Sequence, residues 1–122
     1  MKPGKSGITR IIDATGYSWK GLRAAYRNEA AFRQEILAVL ILLPLSFFVA
    51  RTHTQWLLLV APLFLLLIVE LLNSAIEAVV DRIGSERHEL AGMAKDMGSA
   101  AVMVCLVLIA GTWGSTAWVN FV

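Results

Sequence analysis

Glu70, Asn73, Ser74, Glu77 and Asp81 stand among Leu, Ile, Ala and Val, directly after Trp56 to Val69, a stretch with no polar side chain but that of Trp56. An acidic side chain at the centre of a membrane helix costs about 2.5–3.5 kcal/mol on insertion scales. Two glutamates on one span therefore need a partner, either a cation or a hydrogen-bond donor. Glu70, Asn73, Glu77 and Asp81 lie at offsets 0, 3, 7 and 11, which spreads them over roughly 80° of a helix. They form one polar stripe that can turn away from lipid. Glu70 and Glu77 are separated by about 10 Å along the axis, so the stripe climbs from mid-membrane to one surface. Glu29 and Glu35 reach that level at the start of the preceding span, and Lys95, Asp96 and Ser99 at the start of the following one. Converging carboxylates beside a lysine suit phosphoryl transfer. Hard oxygen ligands suit Mg²⁺, which binds through one or two carboxylates plus phosphates. Lys95 could neutralise phosphate charge, and a remaining glutamate could take a proton from an attacking hydroxyl. Neither G-x-x-x-x-G-K-[ST] nor G-x-G-x-x-G occurs in the chain, so a nucleotide site here is unlike those of soluble kinases.

Four helices must position these groups. Ile8, Ile11, Ile12, Trp19, Leu22 and Tyr26 share one face, with Arg10, Asp13, Lys20, Arg23 and Arg27 opposite. This predicts a basic amphipathic helix over about 6–27, suited to a membrane interface and to anionic lipid, with Gly16 as a point of bending. Apolar periodicity and run length predict transmembrane helices at about 30–50, 56–83 and 92–119, all within one membrane domain, 1–122. Pro44 is a candidate kink, Gly84 a helix stop, and Ser85 a cap for the last helix. Residues 51–55 read as a short loop. Trp19, Trp113 and Trp118 fit interfacial belts. Ala94/Gly98 and Ala110/Gly114 are small pairs that would let helices approach closely. The far half of each span reads as nearly bare of polar residues.

The chain is 57% hydrophobic and 16% charged, with a mean hydropathy of +0.66. That apolar load exceeds what one soluble core of this size could bury. A net charge of +2 gives no reason to expect nucleic acid as a partner. Cys105 stands alone in an apolar run and reads as a lipid-facing or packing residue. It cannot form an intramolecular disulfide, and with His53 and His88 far apart it cannot build a metal site. The first apolar run begins near Ile36, after a long charged segment, which argues against a cleavable signal peptide. Lys and Arg crowd segment 1–35 and recur at Arg82, Arg87 and Lys95, against Arg51 alone in the 51–55 loop. The positive-inside rule then puts the N-terminus and the 82–95 loop in the cytoplasm and the C-terminus outside.

Four stretches resemble bacterial diacylglycerol kinase of the small integral-membrane type. They are Gly16-Tyr17-Ser18-Trp19-Lys20-Gly21-Leu22-Arg23-Ala24-Ala25, Glu29-Ala30-Ala31-Phe32-Arg33-Gln34-Glu35, Glu70-Leu71-Leu72-Asn73-Ser74-Ala75-Ile76-Glu77-Ala78-Val79-Val80-Asp81-Arg82 and Ala94-Lys95-Asp96-Met97-Gly98-Ser99-Ala100-Ala101. E-x-x-N-S-x-x-E-x-x-x-D is the most specific of these patterns. The resemblance implies an all-α membrane protein in a bacterial inner membrane: a surface helix and three spans, assembling as a homotrimer with composite active sites. It implies transfer of the γ-phosphoryl of Mg-ATP to diacylglycerol, giving phosphatidic acid. By the same likeness Glu70 is the general base, and Glu29 and Glu77 are Mg²⁺ ligands that also contact nucleotide. Arg10, Tyr17, Glu86, His88, Lys95 and Asp96 fall on nucleotide-side positions, with Lys95 on the phosphates. Arg10, Ala31, Arg33, Gln34, Glu35, Glu70, Asn73, Ser99 and Trp113 fall on lipid-side or supporting positions. Arg87 stands where the closest relatives would carry Tyr, and 46–56 carries no family signature.

Simpler readings compete at some positions. Asp81 and Glu35 are as well explained by hydrogen bonds between helices, Asn73 by support of a glutamate, and Lys95 by snorkelling. Three carboxylates at one depth have no such explanation, because they repel without a cation. Two further functions are an undecaprenol kinase, which shares the core motif, and a small ion-coupled transporter. The surface-helix and Phe32-Arg33-Gln34-Glu35 segments resemble the diacylglycerol branch. A transporter would carry polar groups to both faces.

Overall fold

The computed structural model describes residues 6–84 and 89–122. It contains α1 (Gly7–Asn28), α2 (Ala30–Val49), α3 (His53–Ile83) and α4 (Glu89–Phe121). The last three are long and apolar enough to cross a membrane. The basic start at Met1–Lys5 lies outside the described residues, as do the cap at Ser85, Arg87, and the nucleotide-side positions Glu86 and His88.

α1 runs unbroken through Gly16 and ends where Glu29 turns extended (φ −116°, ψ 106°). Neither Gly nor Pro marks this elbow. The chain holds it with hydrogen bonds instead. Glu29 N–H donates to the Ala25 carbonyl at 2.9 Å, and the Glu29 carbonyl accepts from Arg33 N–H at 3.3 Å. The Arg33 guanidinium reaches back to the Tyr26 carbonyl at 2.7 Å and the Arg27 carbonyl at 3.2 Å. A cation on the last carbonyls of a helix satisfies orphan acceptors and complements the helix dipole.

α3 is the packing centre. It lies against α4 along most of its length and against α2 on another side, while α2 and α4 barely meet. A seam of buried residues runs along it, Leu59, Leu63, Leu66, Glu70 and Asn73, with Val60 and Pro62 also buried near its start. The seam is apolar through its first half and polar through its second, without changing face. α4 meets it with Gly98, Cys105, Thr116 and Asn120, and α2 contributes Phe32, Val39 and Ser46. Cys105 is thus a packing residue. Elsewhere the spans expose Phe, Leu, Ile, Val and Met side chains, the surface expected of a chain whose solvent is lipid.

Two sequence expectations change. α3 starts at His53, ahead of Trp56, so 51–55 is only partly a loop. Thr52 caps the helix by accepting from Gln55 N–H at 3.1 Å, and the Gln55 side chain accepts from Arg51 N–H at 2.9 Å. Thr52-x-x-Gln55 has the spacing of a capping box, which the reading of 51–55 as a loop passed over. The far half of the spans is also not bare of polar groups. Asn120 donates to the Val49 carbonyl at 2.7 Å and to Gln55 Oε1 at 2.8 Å, and it accepts from Gln55 Nε2 at 3.2 Å. This clasp ties the ends of α2, α3 and α4 together. Gly84, after α3, is extended (φ 175°), a conformation open to any residue.

Candidate functional site

At the opposite end from the clasp, the polar half of the α3 seam carries the carboxylates. Glu70 is 4% exposed and Asn73 is 9% exposed. Both face inward because they continue the Leu59–Leu63–Leu66 stripe. Glu70 lies within electrostatic reach of Glu77 on its own helix and of Glu29 at the α1–α2 elbow. Glu35, one turn and a half along α2, is within reach of Glu70. Asn73 Nδ2 points to Glu77 Oε1 at 3.5 Å, a long contact whose value is orientation. Lys95 Nζ pairs with Asp81 Oδ1 at 2.7 Å and also feels the charge of Glu77. Asp81 therefore does bridge two helices, as the simpler reading had it, and the group it holds is the lysine expected on phosphate.

Three side-chain atoms here are buried and have no hydrogen-bond partner among the described residues: Glu35 Oε2, Asn73 Oδ1 and Ser74 Oγ. Buried polar atoms are satisfied in the great majority of cases; apart from the Trp56 indole nitrogen, at the far end of the bundle, these three are the unpartnered ones among the described residues. A groove of about 670 Å³ opens beside them, between Ser18, Ala25 and Glu29 on one wall and Leu71, Ser74 and Ala78 of α3 on the other. It is mostly apolar with a carboxylate at its edge, the lining that an amphiphile with one polar group would take.

One chain does not gather every residue that the sequence singled out. Glu29, Glu35, Glu70, Asn73, Glu77 and Lys95 occupy one end of the bundle. Ala31, Gln34, Asp96 and Ser99 are exposed near it. Arg33 is committed to the carbonyls of α1. Arg10 and Tyr17 are exposed on α1, with Arg10 about 28 Å along the helix direction from the elbow. Tyr17 has the Lys20 ammonium over its ring at 5.9 Å. Trp113 lies toward the clasp, donating to the Leu59 carbonyl at 3.1 Å. Trp118 is exposed. Among the described residues no three His, Cys, Asp or Glu side chains form one ligand cluster. Glu29 and Glu77 are each within electrostatic reach of Glu70.

The sequence profile of the prokaryotic diacylglycerol kinase family matches residues 16–117. The diacylglycerol kinase of Escherichia coli K12 is 54% identical over 121 residues, covering 99% of each chain. That of Pseudomonas aeruginosa is 52% identical over 112 residues, covering 92% of this chain and 91% of the relative. That of Haemophilus influenzae is 49% identical over 109 residues, covering 89% and 92%.

Proposed function

The chain belongs to the prokaryotic diacylglycerol kinase family and is a membrane lipid kinase, and from that premise we propose that it moves the γ-phosphoryl group of ATP to the free hydroxyl of diacylglycerol, giving phosphatidic acid and ADP. The observation that carries the mechanism is Glu70, a buried carboxylate at the deep end of the polar seam, within reach of two others. It takes the proton of the lipid hydroxyl as the oxygen attacks the γ-phosphorus and the bond to the ADP oxygen breaks. Glu29 and Glu77 would hold Mg²⁺, which when bound offsets phosphate charge. Asn73 orients Glu77, and Lys95 leaves Asp81 for the phosphates. Arg10, Tyr17, Glu86, His88 and Asp96 complete the nucleotide side. Ala31, Arg33, Gln34, Glu35, Ser99 and Trp113 support the lipid side.

Several of these residues lie far from Glu70 within one chain, and α4 exposes an apolar face along much of its length. Both facts fit a homotrimer whose sites are composite. The protein acts as one membrane domain in a bacterial inner membrane, with its basic α1 at the cytoplasmic interface, the 82–95 loop cytoplasmic and the C-terminus periplasmic. Cross-linking in mild detergent is expected to give trimers, and a fully active monomer would refute the composite site.

The clasp bears on the transporter alternative, since polar groups do reach the far face. They are neutral amides bonded to one another and to backbone, and they carry neither protons nor cations. The decisive experiment offers the purified protein γ-labelled ATP, Mg²⁺ and either diacylglycerol or undecaprenol. Label is expected in phosphatidic acid, and label in the polyprenol instead overturns the acceptor.

A further inference from the structure

Gly98 is buried on the face of α4 that meets α3, directly against the Asn73 side chain. A methyl group built there would overlap Asn73 Oδ1 and stand 3.1 Å from Asn73 Cγ. The space that glycine leaves is thus filled by the carboxamide itself. Asn73 Oδ1 is one of the buried atoms with no conventional donor among the described residues. It occupies the space that a side chain at residue 98 would take. With the oxygen on that side, the amide nitrogen lies on the other, toward Glu77 Oε1 at 3.5 Å. A methyl group on α4 would displace the carboxamide end from this position.

We infer that Gly98 is a positioning residue for the phosphoryl-transfer site: by leaving a socket for the Asn73 oxygen it aims the Asn73 amide at Glu77 and so orients that carboxylate. The inference rests on the reading of Glu77 as a metal ligand. Glycine at this point does more than let helices approach, because the atom that would clash is the end of a polar side chain coupled to the site. Partners that orient metal ligands change metal affinity by about 10–100-fold when lost.

The test uses the full-length protein in detergent, with Gly98→Ala, Asn73→Ala, both together, and Glu77→Gln. Two readouts need no turnover. One is the side-chain amide resonance of Asn73 in metal-free, ¹⁵N-labelled protein. The other is the affinity for Mn²⁺ with a non-hydrolysable ATP analogue, from the electron paramagnetic resonance signal of free Mn²⁺. Gly98→Ala is expected to shift the Asn73 resonance and to weaken Mn²⁺ binding by about 10–100-fold. In the Asn73→Ala background the same change is expected to alter Mn²⁺ affinity by less than about twofold, since there is no amide to displace. An unmoved resonance, or an equal loss in both backgrounds, overturns the inference. If Gly98→Ala does not fold while the double variant does, the overlap is with Asn73 and the inference stands. If neither folds, the glycine serves helix spacing alone and the inference fails. Unchanged Mn²⁺ binding in Glu77→Gln would remove the metal reading instead, and the Asn73 resonance would still report on the socket.

Discussion

The two ends of the α3 seam use the same helix face for opposite purposes. Toward the α2–α3 turn, the buried polar groups are neutral and, apart from the Trp56 indole N–H, satisfied. Asn120, Gln55 and the Val49 carbonyl bond to one another, and Trp113 donates to the Leu59 carbonyl. Toward the other end the groups are charged, crowd one another and leave Glu35 Oε2, Asn73 Oδ1 and Ser74 Oγ unpartnered. A closed network of neutral groups holds helices together. An open network of like charges costs stability and is kept where something else completes it. Natural proteins break local rules of this kind at functional sites. In a bilayer the contrast is sharper than in water, because apolar contact between helices gains little over contact with lipid.

Substitutions can test this division. The largest effect is expected at Glu70. Glu70→Gln keeps shape and burial but removes the base, and turnover should fall by about 10²–10⁴-fold while ATP still binds; a modest loss in a labelled-ATP assay would end the assignment. Next is Glu77→Gln, where the Mg²⁺ dependence of nucleotide binding should weaken by at least about tenfold, as titration with a fluorescent ATP analogue would register. At the clasp the expected loss changes character. Asn120→Ala should cost about 1–2 kcal/mol, from several interhelical hydrogen bonds at roughly 0.6 kcal/mol each, seen as a lower unfolding midpoint with kcat nearly unchanged. A collapse of kcat at wild-type stability would erase the distinction between the ends. The smallest effect is expected for Asp81→Asn, since the pair it breaks with Lys95 is open to solvent on both sides and such pairs contribute little. Its stability should match that of the parent, and any change should appear in the KM for ATP as the lysine is released toward phosphate.

Much of this was legible from residue types alone. Four helices, three of them able to span, follow from apolar runs and 3.6-residue periodicity, because a membrane leaves the backbone few alternatives. The shared face of Glu70, Asn73 and Glu77 followed from spacing. The division of labour between base and ligand came from the family likeness. The clasp was not legible, since Gln55 and Asn120 are 65 residues apart and nothing local says that they meet. The α3 start was placed at Trp56, three residues late, because the cap at Thr52 was not read from Thr52-x-x-Gln55. The elbow at Glu29 was not marked by any breaker, because Arg33 makes it with a long-armed hydrogen bond.

The sequence by itself determined what must be buried and on which helix face. Polar side chains in an apolar run have only one tolerable direction, and helical geometry converts spacing into direction. Tertiary structure alone decided what those faces meet. Gly98 looked like one of several small residues until α4 was seated on α3, when the absence of its side chain became the place for the Asn73 oxygen. Contacts between distant segments depend on the register of one helix against another, and no local pattern in either strand of sequence carries that register.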